Sequence, residues 1–241
     1  MALDIDSWLS QVKTAVSGRS SKGLYEEYFF RDPLRCISRD SNALLSPSDG
    51  ILYSIKEFAS ADSDIVIKGV RTTPRGLLPG TRPPEGGIIF DFFMTTYDVH
   101  VLRAPASGYI RTRHAQPHRS LNTSMLDFEE AIIRTREGNV PAPCFLQLNQ
   151  RVISDLYVPH LDVGLHIVQI ADSEINAITP FAPPGWSPIS QGDRFSAIRL
   201  GSQVSLVMRF GRGANVKVLV KENFHYEAGE PLGHFMRDKD V

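Results

Sequence analysis

The sequence predicts a mainly β protein, an antiparallel β-sandwich with an N-terminal helix and short peripheral helices. Short runs rich in Val, Ile and Phe recur after Pro47, with Gly and Pro between them, which is the pattern of many short strands. Helical periodicity is scarce by comparison, and many strands with few helices argue for a sandwich.

Taken in order, the first element is a helix. Ile5, Trp8, Leu9, Val12 and Val16 fall at helical spacing, with Asp4 or Asp6 as the N-cap and Gly18 near the stop. Packing on the protein's own core is the simpler expectation; the alternative lays Trp8 and Leu9 into a lipid interface. Pro33 ends any helix begun near Leu24. Residues 1–40 therefore read as an amphipathic helix and a lead-in, and residues 41–241 as a single β-rich catalytic domain.

Strands are expected near 50–57, 63–68, 87–93, 98–103, 107–113, 150–157, 163–171, 173–178, 194–199, 202–209, 215–220 and 230–235. Residues 69–87, dense in Gly and Pro, read as a long loop. A short helix is expected at 124–131.

Composition excludes several function classes. With 241 residues, 42% hydrophobic and 22% charged, the chain can bury an ordinary globular core. A formal net charge of −1 argues against general nucleic-acid binding. Cys36 and Cys144 give neither a disulfide framework nor a metal cluster. His114 and His118 lack a third ligand, so no metal is expected. No window approaches the ~18 apolar residues of a bilayer span, and the acidic N-terminus is not a secretory leader. The expected location is cytoplasmic or peripheral on a membrane.

The chemistry gathers around a late Gly201-Ser202 pair. A serine hydroxyl that attacks the preceding carbonyl shifts the acyl group from nitrogen to oxygen. β-Elimination then cuts the chain, and hydrolysis of the new terminus leaves pyruvoyl and ammonia. Serine needs an adjacent base for this, and a glycine before it tolerates strain and leaves the carbonyl accessible. His100 is the candidate base, with Asp98 two residues away on the same face of a predicted strand. Asp49, in Ser46-Pro47-Ser48-Asp49-Gly50, is a turn residue by local context. His225 and His234 read as surface or strand-end residues, and His166 as a sheet-face histidine.

The order of these motifs resembles the phosphatidylserine decarboxylase family, in its shorter form. The matching segments are Phe29-Phe30-Arg31-Asp32-Pro33, Ser46-Pro47-Ser48-Asp49-Gly50, Ile67-Lys68-Gly69, Asp98-Val99-His100-Val101-Leu102-Arg103-Ala104-Pro105, Leu121-Asn122-Thr123-Ser124, Asn149-Gln150-Arg151-Val152, and Gly192-Asp193-Arg194-Phe195 through Gly201-Ser202. The resemblance implies a proenzyme cut between Gly201 and Ser202, with fragments 1–201 and 202–241 staying associated and a pyruvoyl cofactor made from Ser202. It further implies a Schiff base between that ketone and the substrate amine, a phospholipid substrate at a membrane surface, and a homodimer. Asp49 is implied to assist processing and His100 to serve processing, decarboxylation or both. Longer members carry a second histidine where this chain has Arg103, and the usual Asn-Glu-Arg is Asn149-Gln150-Arg151 here.

Candidate substrate contacts are Lys68, Arg71, Arg75, Arg103 and Asn122, the first three at a loop that could close on a phosphate, with Leu77 and Leu78 dipping into lipid. Two alternatives stand beside the lipid reading: the same chemistry on a soluble amino-acid-containing substrate, and a non-catalytic relative acting as a binding module.

Overall fold

The structure is a computed structural model that describes residues 2–81, 85–115, 124–125, 130–131, 133–134, 145–173, 177–199, 202–209 and 214–237. In chain order its strands are β1 (Leu3–Asp4), β2 (Ala43–Leu45), β3 (Gly50–Phe58), β4 (Ile65–Ile67), β5 (Val70–Thr72), β6 (Gly87–Met94), β7 (Val101–Arg103), β8 (Gly108–Ala115), β9 (Arg151–Val158), β10 (Val163–Ala171), β11 (Ile178–Pro180), β12 (Ser187–Ile189), β13 (Arg194–Ile198), β14 (Ser202–Arg209), β15 (Ala214–Val218), β16 (Phe224–Tyr226) and β17 (Pro231–Arg237). Helix α1 is Ile5–Val16 and α2 is Pro74–Leu77.

One nine-stranded sheet, in the order β1-β16-β3-β6-β14-β10-β9-β8-β12, organises the molecule. All its neighbouring pairs are antiparallel. Alternation along each strand divides its apolar residues between two faces. Phe90, Phe92, Val204, Leu206 and Ile167 share one core with Leu102 and Phe195 of the β11-β13-β7 sheet and with Leu44 and Leu232 of the β15-β17-β2 sheet. On the opposite face Ile89, Val168, Ile170 and Val207 pack with Ile65, Ile67, Leu77 and Leu78. The expected mainly β sandwich is therefore present.

Helix α1 closes one corner of that second face. Asp4 caps it by accepting hydrogen bonds from the Asp6 and Ser7 amides at 3.1 and 3.0 Å. Its buried stripe, Ile5, Trp8 and Val12, meets Ile51 and Phe93. Trp8 thus packs on the protein's own core and not in lipid.

Three expectations are corrected. Residues 69–87 are not one long loop, because β5 and α2 lie inside them. Leu77 and Leu78 are 1% and 0% exposed, so they are core residues with no reach to lipid. The strand expected at 98–103 begins only at Val101, leaving Asp98 and His100 on irregular backbone. The helix expected at 124–131 falls mostly outside the described residues.

Replacing Leu77 or Leu78 by Ala should cost about 2–5 kcal/mol of stability each, the usual result of emptying a packed leucine site. Urea unfolding of a Ser202→Ala chain measures this. Binding to phospholipid vesicles should be unchanged by either substitution once the variants are folded.

Candidate active site

The site forms where the 46–49 loop, the 95–100 segment and the 227–230 turn meet. The loop is pinned on both sides: the Arg103 amide donates to the Pro47 carbonyl at 2.9 Å, and the Gly229 amide donates to the Ser46 carbonyl at 2.9 Å. Gly50 follows with φ +147°, and a Cβ there would stand 2.5 Å from the Phe93 carbonyl oxygen. Only glycine fits this conformation and this approach, so the Asp49-Gly50 pair is more than a turn signal. It lets β3 start against β6 with Asp49 facing inward.

The Asp49 carboxylate is buried and fully engaged. One oxygen accepts the Ala228 amide at 2.8 Å; the other accepts the Arg35 guanidinium at 2.5 Å and the Val99 amide at 3.4 Å. Arg35 also pairs with Glu227. Burial pushes the Asp49 pKa up to about 6; Arg35 restrains the rise and the nearby Asp98 charge adds to it. Asp49 thereby accepts the N–H of the Asp98–Val99 peptide, two residues before His100.

Asp98 closes a turn. Its amide donates to the Thr95 carbonyl at 3.1 Å, and one carboxylate oxygen accepts the Thr95 amide at 2.6 Å. The other oxygen receives Nε2 of His225 at 2.6 Å, not the imidazole of His100. The sequence pointed to an Asp98–His100 pair through the carboxylate; the structure joins them through the backbone. Nδ1 of His100 lies 2.9 Å from the Asp98 carbonyl oxygen. A carbonyl only accepts, so Nδ1 carries the proton and Nε2 carries the lone pair. Nε2 is buried and has no partner among the described residues. The ring packs on Phe29 with centroids 4.3 Å apart. Burial pulls the His100 pKa down to about 4, Asp98 opposing and Arg31 assisting. At neutral pH His100 is an uncharged base.

His225 is the residue that sequence reading placed wrongly. It is 6% exposed, and the indole of Trp8 stacks on it at 4.6 Å and 11°. Burial works against its charge, but Asp98 outweighs burial and holds the His225 pKa above its ordinary value. The same pair, together with the Thr95 amide, keeps Asp98 below the usual carboxylate range in spite of its burial. A cleft lined by Trp8, Val12, Tyr28, Arg31 and Tyr97 reaches Asp49, Asp98 and His225.

The described residues on either side of Gly201 are anchored near this place. The Ile198 amide donates to the His100 carbonyl at 2.9 Å. Four residues on, Ser202 opens β14 opposite Met94 of β6 and Ala171 of β10. Ile198 and Ser202 are therefore anchored to the two ends of the 94–100 segment that carries Asp98 and His100. Gly201 and the Ser202 side chain lie outside the described residues.

The candidate substrate contacts are scattered. Lys68 is 2% exposed, with φ +46° in the Lys68-Gly69 turn between β4 and β5. Its ammonium sits 4.8 Å from the centre of the Phe93 ring, and Phe93 is aligned with Gln203. Arg71 of β5 and Arg75 of α2 are exposed and bind Asp64 and Asp62, which precede β4, at 2.5 and 2.7 Å. Arg103 donates to Asp32 and to the Gly192 carbonyl, each at 3.0 Å, tying the lead-in to the sheet. Asn122 lies outside the described residues. Among the described residues no His, Cys, Asp and Glu cluster could hold a metal, and no helix is long and apolar enough to cross a membrane.

With this geometry in place, comparison with known proteins assigns the family. A family model described as phosphatidylserine decarboxylase matches residues 27–234. A putative archaetidylserine decarboxylase proenzyme of Methanothermobacter thermautotrophicus is 30% identical over 206 residues, covering 85% of this chain and 77% of the relative. A phosphatidylserine decarboxylase proenzyme of Beijerinckia indica is 29% identical, with 87% and 73% covered. A second putative archaetidylserine decarboxylase proenzyme, of Methanocaldococcus jannaschii, is 28% identical, with 87% and 88% covered. The chain belongs to the phosphatidylserine decarboxylase family of carboxy-lyases.

Arg35 gives a test of the Asp49 environment. A carboxyl whose folded pKa exceeds its unfolded value contributes its stability below the unfolded value and loses it as pH rises through the folded one. For Asp49 that window runs from 3.8 to about 6. Arg35→Gln removes the restraining cation and lifts the folded value further. The variant should lose about 3 kcal/mol at pH 8 and clearly less at pH 5, where Asp49 holds a proton. Urea unfolding of uncut Ser202→Ala chains at the two pH values measures the difference.

Proposed function

Proceeding from membership of the phosphatidylserine decarboxylase family, we propose that this chain cuts itself between Gly201 and Ser202 and decarboxylates phosphatidylserine to phosphatidylethanolamine. The observation that carries the proposal is the buried, uncharged Nε2 of His100, on a residue whose own carbonyl accepts the Ile198 amide four residues before Ser202. The relatives' names share a serine-bearing lipid headgroup, and the substrate class follows from it.

In this reading Ser202 is the nucleophile and the source of the cofactor. The Nε2 lone pair of His100 takes the hydroxyl proton as Ser202 Oγ bonds to the Gly201 carbonyl carbon, and returns it to the Ser202 nitrogen as the Gly201–Ser202 C–N bond breaks. β-Elimination of the resulting ester then releases the Gly201 carboxylate and cuts the chain. Burial suits His100 to this task, since a pKa of about 4 keeps the base unloaded at neutral pH and makes a captured proton easy to return. The Asp98 carbonyl fixes which nitrogen holds the resident proton, and Asp49 accepts the N–H of that same Asp98–Val99 peptide. A pyruvoyl group supplies an electrophilic ketone that takes up the substrate amine and accepts the electrons left by CO2. The residues present fit such a group: His100 offers a neutral imidazole with an unpartnered Nε2, and both buried carboxylates are already paired.

Lys68 is the strongest candidate for an acidic part of the substrate. It is a buried cation, one strand away from Gln203, that also meets the Met125 sulfur at 3.6 Å and faces Asp91 and Asp172.

Intact mass of the denatured protein should reveal two fragments broken at Gly201–Ser202, the smaller blocked to Edman chemistry. Ser202→Ala should remain whole. His100→Gln should slow cleavage by about 10²–10⁴-fold, the usual contribution of a positioned base. The processed enzyme should release CO2 from vesicles containing phosphatidylserine. A wild-type chain that stays whole after incubation with such vesicles would reject the proposal.

A further inference from the structure

We propose that His225 of β16 is a positioning residue for His100, acting through Asp98, and that α1 holds His225 in place through Trp8. This rests on the reading of His100 as the base.

The argument is a chain of three contacts. His225 donates Nε2–H to one Asp98 oxygen at 2.6 Å while the Thr95 amide occupies the other at 2.6 Å. With both oxygens held, the 95–98 turn has one arrangement, and its Asp98 carbonyl points at Nδ1 of His100, 2.9 Å away. That contact keeps the resident proton on Nδ1 and the lone pair on Nε2. Without His225 the Asp98 carboxylate keeps only a single backbone donor in a buried place. It must then take up a proton or turn toward the cleft. Either change loosens the turn that orients His100. Acting on a base through its hydrogen-bonded neighbour is how outer groups commonly select a histidine tautomer.

His225 has its own anchors. Its backbone pairs with Ile51 of β3, and its ring lies flat against Trp8. Three carboxylates face it from three places: Asp98 from the turn, Asp49 from the 46–49 loop and Glu227 from the segment after β16. Arg35 stands on the far side of the last two. These acids hold the His225 pKa above the ordinary 6.5 against the effect of burial. The sign follows: the charge of the His225–Asp98 ion pair is present at lower pH and is lost as pH rises through the raised value, which leaves only a weaker neutral N–H···O bond on the turn. Self-cleavage should therefore decline on the alkaline side.

The experiment follows appearance of the 202–241 fragment after refolding of the full chain, as a function of pH. His225→Ala should cleave on the order of 10–100-fold more slowly. His225→Gln, which keeps an N–H donor but cannot titrate, should recover part of the rate and lose the alkaline decline. Variants that cleave at the wild-type rate with the wild-type pH profile would overturn the proposal. Should the variants fail to fold, imidazole nitrogen spectra of the uncut Ser202→Ala chain with His225 intact decide it. The His100 signal should pass from the Nδ1–H tautomer to a mixture as His225 loses its proton; a His100 tautomer indifferent to that titration overturns the proposal. His100→Gln separates this outcome from failure of the underlying reading. Normal cleavage in His100→Gln removes His100 as the base, while the spectra still report whether His225 governs it.

Discussion

Two carboxylates buried side by side are the constraint from which the site is built. An unpaired ionised carboxylate inside a protein costs several kcal/mol even after relaxation, so Asp49 and Asp98 must each find a cation or a set of backbone donors. Asp49 takes Arg35 from the lead-in and the Ala228 amide from the turn after β16. Asp98 takes His225 from β16 itself and the Thr95 amide from its own turn. Pairing these two acids brings together elements that lie far apart in sequence. The lead-in is then fastened a second time, by Asp32 to Arg103. Phe29 of the same lead-in ends on the ring of His100, and the charge balance that holds the segment also dries the base.

The two acids solve the same problem with opposite titration behaviour. Asp49 has a guanidinium partner, yet burial and the neighbouring Asp98 charge leave its pKa raised. Asp98 is equally buried, but an imidazolium and a short backbone bond hold its pKa down. Asp98 is thus the fixed charge of the pair. The carboxylate nearest in sequence to His100 does not touch its ring. It sets the geometry of the peptide whose carbonyl holds the proton on Nδ1.

The sheet was legible because its long strands are dense in Val, Ile and Phe. β3, β6, β9, β10 and β14 run for eight or nine residues between two packed layers, so each reads as an apolar run bounded by turns. The strands at 43–45, 70–72, 187–189 and 224–226 have three residues each, too few for any period to show. His225 was lost with the last of these. Nothing in Asn223-Phe224-His225-Tyr226 announces burial, because that comes from Trp8 and Asp98, both more than a hundred residues away in sequence. The Asp98–His100 relation failed for a different reason. Two residues apart means one face only on a regular strand, and Asp98 spends its side chain closing a turn before β7 begins. Ser202 and Gly201 carried a signal that depends on adjacency alone, and it needed no fold to be read.

The position of β14 explains how such a site can survive a broken backbone. Under the proposed cleavage Ser202 becomes a chain end, and a free strand end normally frays. Here β14 is an inner strand, paired with β6 on one side and β10 on the other from its first residue to its last turn. Both neighbours belong to the 1–201 fragment, so the cut removes one peptide bond and leaves the ladders that flank it. The same cut would place His225 on the 202–241 fragment and Asp98, Asp49, Arg35 and His100 on the other. The His225–Asp98 contact then crosses between fragments, as does the bond from the Ala228 amide to Asp49. The buried acids that organise the precursor would in this way also hold its two products together, because separating them would return Asp98 to the interior without its partner.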